Sequence, residues 1–217
     1  GNITFNASNA AAAFTIGEIE EATTIGNITF TGTGSIDFDG APAATTVGNV
    51  TGSVGVGETV DLTGDTNTIG TTAGVMGTTT VTGAGTFNMD VGAVTTLGNI
   101  DLSGMTSVSS STMALSNTTA VGVIFTGGSG TDTFTATGGG DTITPGLGSD
   151  TVRGNDGADT IALTESTDSA DTVILDDDDS VDTITGFTTN DIIAFDISEL
   201  GAERGTGNSL NDSTDDV

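Results

Sequence analysis

GGSGTDTFT ATGGGDTIT PGLGSDTVR GNDGADTIA, residues 127–162, is four nine-residue units in one unbroken phase. The aspartates Asp132, Asp141, Asp150 and Asp159 fall on every ninth position. A glycine stands two positions before each of them (Gly130, Gly139, Gly148, Gly157), and an apolar residue two positions after (Phe134, Ile143, Val152, Ile161). The second position of the unit is glycine at Gly128 and Gly146, but Thr137 and Asn155 elsewhere. The first departs from glycine at Ala136 and Pro145. Such a unit reads as a tight turn followed by a short strand. Glycine supplies the turn's positive φ without steric cost, and the apolar residue points inward to a narrow core. Self-similarity at a short fixed period is the mark of a solenoid.

The turns are rich in oxygen. Ca²⁺ is a hard cation that takes about six to eight oxygen ligands, more than one turn supplies. A second turn stacked one coil later, eighteen residues on, lets two turns share an ion. Asp132 then goes with the turn of Asp150, and Asp141 with that of Asp159. The departures from glycine are expected to weaken individual sites.

Residues 127–162 resemble the calcium-binding nonapeptide G-G-x-G-x-D-x-U-x of RTX proteins, and the stretch DTVILDDDDSVDTITGFTTNDIIAFDIS, residues 171–198, resembles their C-terminal caps. The resemblance implies a calcium β-roll that is exported by type I secretion and folds outside the cell on meeting Ca²⁺. Carried over, the metal-site candidates are Gly128, Gly130, Asp132, Gly139, Asp141, Gly146, Gly148, Asp150, Asp156, Gly157 and Asp159, with Asp168 and Asp171 as extensions into the tail. The run Asp176–Asp179 reads more simply as an exposed loop.

Residues 1–126 hold a looser repeat. The phrase recurs as TTIGNI (23–28), TTVGNV (45–50), NTIGTT (67–72) and TTLGNI (95–100), with AVGVIF (120–125) as a shortened relative and GNITF (1–5) one step earlier. Between the phrases, NITFTG, SIDFDG, TVDLTG, TFNMDV and NIDLSG alternate apolar and polar residues with period two. That alternation, broken by glycine, is the pattern of half-buried strands. The expected architecture is all-β: a parallel β-solenoid or β-helix over 1–126, continuing into the β-roll at 127–162, an acidic capping region at 163–204 and a tail at 205–217. Ile28, Phe30, Ile36, Phe38, Val60, Leu62, Phe87, Met89, Ile100 and Leu102 are expected to stack in its core. An antiparallel β-sandwich is the rival. In the capping region, 182–187 and 190–195 read as a hairpin over the open end of the solenoid.

Composition narrows the function classes. Thirty acidic residues stand against two basic ones, Arg153 and Arg204, for a formal net charge of −28. Such a chain repels nucleic acid and anionic lipid. A solvated halophilic surface also explains the charge, though not the nine-residue phasing, and a Gly/Thr/Ser/Asp composition suits disorder, though not the regular apolar positions. There is no cysteine, so no disulfide clamps the fold. No apolar stretch approaches the ~20 residues of a membrane-spanning helix. The chain opens in repeat-like sequence without a secretory signal, as a fragment of a longer polypeptide would.

Catalysis has little to work with. Without histidine there is no H-E-x-x-H zinc site, and G-x-S-x-G is absent. Without tyrosine or tryptophan a sugar lacks a stacking platform for glycoside hydrolysis. The expectation is a non-enzymatic, extracellular bacterial surface protein that assembles with its own copies in a Ca²⁺-dependent way, as an S-layer or filament subunit, with cell-surface polysaccharide as a further partner. The alternatives are a stalk or spacer of a large RTX adhesin and, last, an ice-binding solenoid. For the last, Thr78–Thr80 is only a local cluster, and Thr-x-Thr is not expected to recur at a fixed coil position.

Overall fold

The computed structural model describes residues 1–7, 13–16, 24–32, 35–38, 46–62, 74–91, 94–106, 110–115, 122–167, 169–176 and 180–196. Every described strand pairing is parallel, and no helix occurs among the described residues. The fold is a β-solenoid, and the antiparallel sandwich is ruled out.

Two nine-stranded sheets run the length of the described chain, with a four-stranded sheet beside them. The first sheet takes Ile3–Ala7, Ile28–Gly32, Val50–Val54, Thr79–Gly83, Ile100–Met105, Ile124–Thr126, Thr142–Thr144, Thr160–Ala162 and Thr183–Thr185. The second takes Ala13–Ile16, Ser35–Phe38, Thr59–Leu62, Thr86–Asp90, Ser110–Ala114, Thr131–Thr135, Thr151–Arg153, Thr172–Leu175 and Ile192–Phe195. The third holds Thr24–Ile25, Thr46–Val47, Gly74–Met76 and Val94–Leu97. The early coils are therefore three-sided and the later ones two-sided. The long sheets cross the positions 126/127 and 162/163 without interruption.

Period-two alternation places the core as read from the sequence. Ile28, Phe30, Val60, Leu62, Phe87, Met89, Ile100 and Leu102 are all buried, as are Phe134, Ile143, Val152 and Ile161 of the nonapeptide units. The side chains of Ile36 and Phe38 lie outside the described residues. Phe30 stacks on Phe87 at 5.9 Å between centroids, and Phe125 on Phe134 at 3.9 Å. Each pair spans the narrow core, with Phe30 and Phe125 on strands of the first sheet and Phe87 and Phe134 on strands of the second.

The corner between the third and first sheets explains the Gly-Asn phrase. Asn2 Oδ1 accepts the N–H of Asn27 at 3.0 Å, Asn27 Oδ1 that of Asn49 at 3.1 Å, and Asn49 Oδ1 that of Thr78 at 3.0 Å. A Cβ on Gly26 or Gly48 would stand 2.1 or 2.6 Å from the asparagine oxygen of the coil before. Glycine is needed there for space. The third member of this series is Gly77 in GVMGT, not Gly70 in NTIGTT. Gly77 sits over Asn49, while 67–72 lies outside the described residues.

Two further expectations fail. Thr183–Thr185 and Ile192–Phe195 do not form a hairpin. They join different sheets, pairing with Thr160–Ala162 and Thr172–Leu175, and carry the solenoid on by another coil. Arg153 fastens this end through ion pairs to Asp176 and Asp196. Second, Thr-x-Thr does recur at one coil position, in two of four aligned strands: Thr4, Thr29, Thr51 and Thr80 are aligned in the first sheet, and Thr29 and Thr80 are each followed by a threonine two positions on.

Candidate metal centre

The nonapeptide aspartates stand at the turn just before or at the start of each strand, and their side chains turn inward. Asp132, Asp141, Asp150, Asp159 and Asp171 are 1–2% exposed. They stack in two columns, one beside each long sheet. Beside the second sheet, Asp150 Oδ1 accepts the N–H of Asp132 at 2.8 Å, Asp171 Oδ1 that of Asp150 at 2.9 Å, and Asp191 Oδ1 that of Asp171 at 3.0 Å. Ser111 extends this column upward, its hydroxyl donating to Asp132 Oδ1 at 2.7 Å. Beside the first sheet, Asp141 Oδ1 accepts from the Val123 N–H, Asp159 Oδ1 from that of Asp141, and Asp182 Oδ1 from that of Asp159. The pairing expected from an eighteen-residue coil, Asp132 with Asp150 and Asp141 with Asp159, is the pairing found.

The glycines are set by the same stacking. Gly146 and Gly148 have φ of 107° and 115°, and a Cβ there would lie 2.0 Å from the Gly128 carbonyl oxygen and 2.1 Å from that of Gly130. Gly157, with φ 106°, would clash likewise with Gly139. The non-glycine positions have local compensation. Thr137 is fully buried, and both its N–H and its hydroxyl donate to Asp141. Asn155 adopts φ 59°, a conformation asparagine tolerates better than most residues, and its Nδ2 donates to the Ala136 carbonyl. Asp156 is exposed on the turn surface, and Asp168 lies outside the described residues.

One point in the second column stands apart. Carboxylate oxygens of Asp150, Glu165 and Asp171 all lie within 4.8 Å of one another. Asp150 Oδ2 and Glu165 Oε1 are buried and have no hydrogen-bond partner among the described residues. Glu165 is held by the Ser169 N–H on its other oxygen. It enters where the coil lengthens from 18 residues (Asp132 to Asp150) to 21 (Asp150 to Asp171). Buried ionised carboxylates without partners are costly, and the group responds. Burial pushes the Asp150 carboxyl up to about 8, and the charges of Asp132, Asp171 and Glu165 act in the same direction against the Asp132 N–H. Burial also raises Asp141, against the N–H groups of Val123 and Thr137 and the Thr137 hydroxyl. At the exposed end of the column, Asp191 goes the other way: burial is outweighed by the Asp171 and Thr188 N–H groups and the Thr188 hydroxyl, which hold its carboxyl low.

Three converging carboxylates, two of them with a buried oxygen that lacks a hydrogen-bond partner, fit a hard divalent cation. Asp150, Glu165 and Asp171 would hold it, and the ion would offset both the burial and the neighbouring charges that raise Asp150. Sequence reading found Asp150 and Asp171 but missed Glu165, which sits in an irregular insertion. It also missed Asp182 and Asp191. Their signal was present: D-T-I at 182–184 and D-I-I at 191–193 repeat the aspartate and apolar positions of D-T-F at 132–134.

The class of protein is thus a parallel β-solenoid with buried acidic columns. No protein family, characterised protein or solved structure matches the chain. Among the described residues, no helix is long and apolar enough to cross a membrane.

Proposed function

We propose that the chain is a secreted, non-catalytic structural protein of the bacterial cell surface, whose coils are clamped by Ca²⁺ and which then assembles with its own copies into an S-layer or filament. The observation that carries this reading is the stack of buried aspartates, with the carboxylates of Asp150, Glu165 and Asp171 converging and Asp150 Oδ2 lacking a hydrogen-bond partner. An assembly of this kind needs a neutralising ion twice. Inside each chain, Ca²⁺ offsets carboxylates packed coil on coil. Between chains, it screens a net charge of −28 that opposes association. Among the described residues, the strands at either end of the two long sheets pair on one side only, and head-to-tail contact through such edges gives an open polymer. Cell-surface polysaccharide is the further partner, and export by the type I route follows from the RTX resemblance.

A second reading is a spacer in a longer adhesin. It is favoured by the two sheets running unbroken through nine strands each, as a rod would. Far-UV circular dichroism and light scattering on one calcium titration test both. The leading reading expects β-structure and particle size to rise together and to reverse in chelator. A rise in β-structure without particle growth selects the spacer. Equal structure and equal size with and without calcium refute both.

A further inference from the structure

We propose that the outward face of the first sheet, over its three-sided coils, is an ice-binding surface. Four successive strands present ranks of the same form: Thr4-x-Asn6, Thr29-x-Thr31, Thr51-x-Ser53 and Thr80-x-Thr82. The residues between them face the other way, and Phe5, Phe30 and Val81 are buried at 3%, 0% and 0% exposure. Thr4, Asn6, Thr31, Ser53, Thr80 and Thr82 are exposed, and Thr29 and Thr51 half-exposed. The first column is in register through all four strands, Thr4 with Thr29, Thr29 with Thr51 and Thr51 with Thr80, and the second holds two aligned pairs, Asn6 with Thr31 and Ser53 with Thr82. The hydroxyls of Thr29 and Thr51 lie 3.5 Å apart.

The result is a two-dimensional grid. Its spacing is about 4.8 Å from strand to strand and about 6.6 Å between alternate residues of a strand. Oxygen atoms on the prism faces of ice repeat at comparable intervals in two perpendicular directions. Threonine suits such a grid. Its χ1 is stiff, so little freedom is lost on binding, and each side chain offers one methyl and one hydroxyl to an ordered water layer.

Charge separates this face from its neighbour. The chain has thirty acidic residues, yet none occupies these eight positions. In the same coils the second sheet carries an exposed Asp37 and, aligned with it, a half-exposed Asp61. Charged groups organise their own hydration and would disrupt a lattice of water. The grid stops at Asp101, which aligns with Thr80, and there the strand register shifts as well. Nothing in this inference depends on how the aspartate columns bind metal.

The test uses the full chain in calcium, measured for thermal hysteresis, for inhibition of ice recrystallisation and for uptake into a growing ice hemisphere. Thr51→Lys sits at the grid's centre. Asn88→Lys makes the same change on the second sheet. The wild type is expected to bind ice, Thr51→Lys to lose binding, and Asn88→Lys to keep it, with calcium-dependent light scattering unchanged in both. Thr51→Val keeps the β-branch and guards against a lysine that disturbs folding; it is expected to melt like the wild type and to show reduced hysteresis. No hysteresis in the wild type, or full activity in Thr51→Lys, overturns the proposal and leaves the threonines with strand propensity alone. Binding to crystalline cellulose or chitin without binding to ice also overturns it.

Discussion

Replacing Asp150 with asparagine separates the cost of the acidic column from its use. The amide keeps an oxygen to accept the Asp132 N–H but carries no charge beside Asp132, Glu165 and Asp171. The carboxyl's ordinary value is 3.8 and the fold raises it to about 8. In the metal-free protein the folded state therefore holds a proton that the unfolded chain has released between those pH values. The contribution of Asp150 to stability is full below about pH 4, falls as pH rises, and levels off above about pH 8. Each unit of pH across that window costs up to about 1.4 kcal/mol, so the ceiling is on the order of 5 kcal/mol. Asp141, also raised by burial, adds a loss of the same sign. Asp150→Asn should remove the Asp150 share. In chelator at pH 8 the variant should be more stable than the wild type by a few kcal/mol, and at pH 4 the two should converge. With millimolar calcium the order should reverse, because ligand binding stabilises the fold by mass action and the variant has lost a ligand. Urea denaturation followed by circular dichroism at pH 4, 6 and 8, with calcium and with chelator, measures all of this. A variant less stable than the wild type in chelator at pH 8, or one that keeps the full calcium increment, refutes the reasoning.

Other perturbations test the stacking itself. Gly146→Ala puts a Cβ 2.0 Å from the Gly128 carbonyl at φ 107° and should cost about 3 kcal/mol or more in a denaturation experiment. Gly57→Ala, at φ 75° with open space around it, should cost only about 1–2 kcal/mol. Phe134→Ala removes a buried ring stacked on Phe125 and should cost about 3–5 kcal/mol by the same assay. Asn27→Ala takes away the acceptor for the Asn49 N–H, with an expected loss of about 1 kcal/mol and faster exchange of that amide by NMR.

What was legible in the sequence was whatever repeated in phase. The nine-residue spacing fixed which aspartates stack, because Asp132 and Asp150 are one coil apart by count alone. Phe30 and Leu62 could be placed in the core because alternation needs only local sequence. The failures came where a local pattern has two long-range meanings. Two short strands around a turn at 182–195 look alike as a hairpin and as consecutive sides of a solenoid. Only their partners, Thr160–Ala162 and Thr172–Leu175, decide between them. NTIGTT matched the repeated phrase better than GVMGT, yet the corner needs a glycine over Asn49, and Gly77 provides it. Glu165 was invisible because the insertion that carries it breaks the count. The coil grows to 21 and then 23 residues there. The aligned threonines were hidden for the same reason, since coils of unequal length scatter them in sequence.

The most direct measurement is an anomalous difference map from crystals grown in calcium. The account predicts a peak about 2.3–2.6 Å from Asp150 Oδ2, shared with Glu165 and Asp171, and further peaks along both aspartate columns. A map with no density beside Asp150 and none along either aspartate column at millimolar calcium would contradict it.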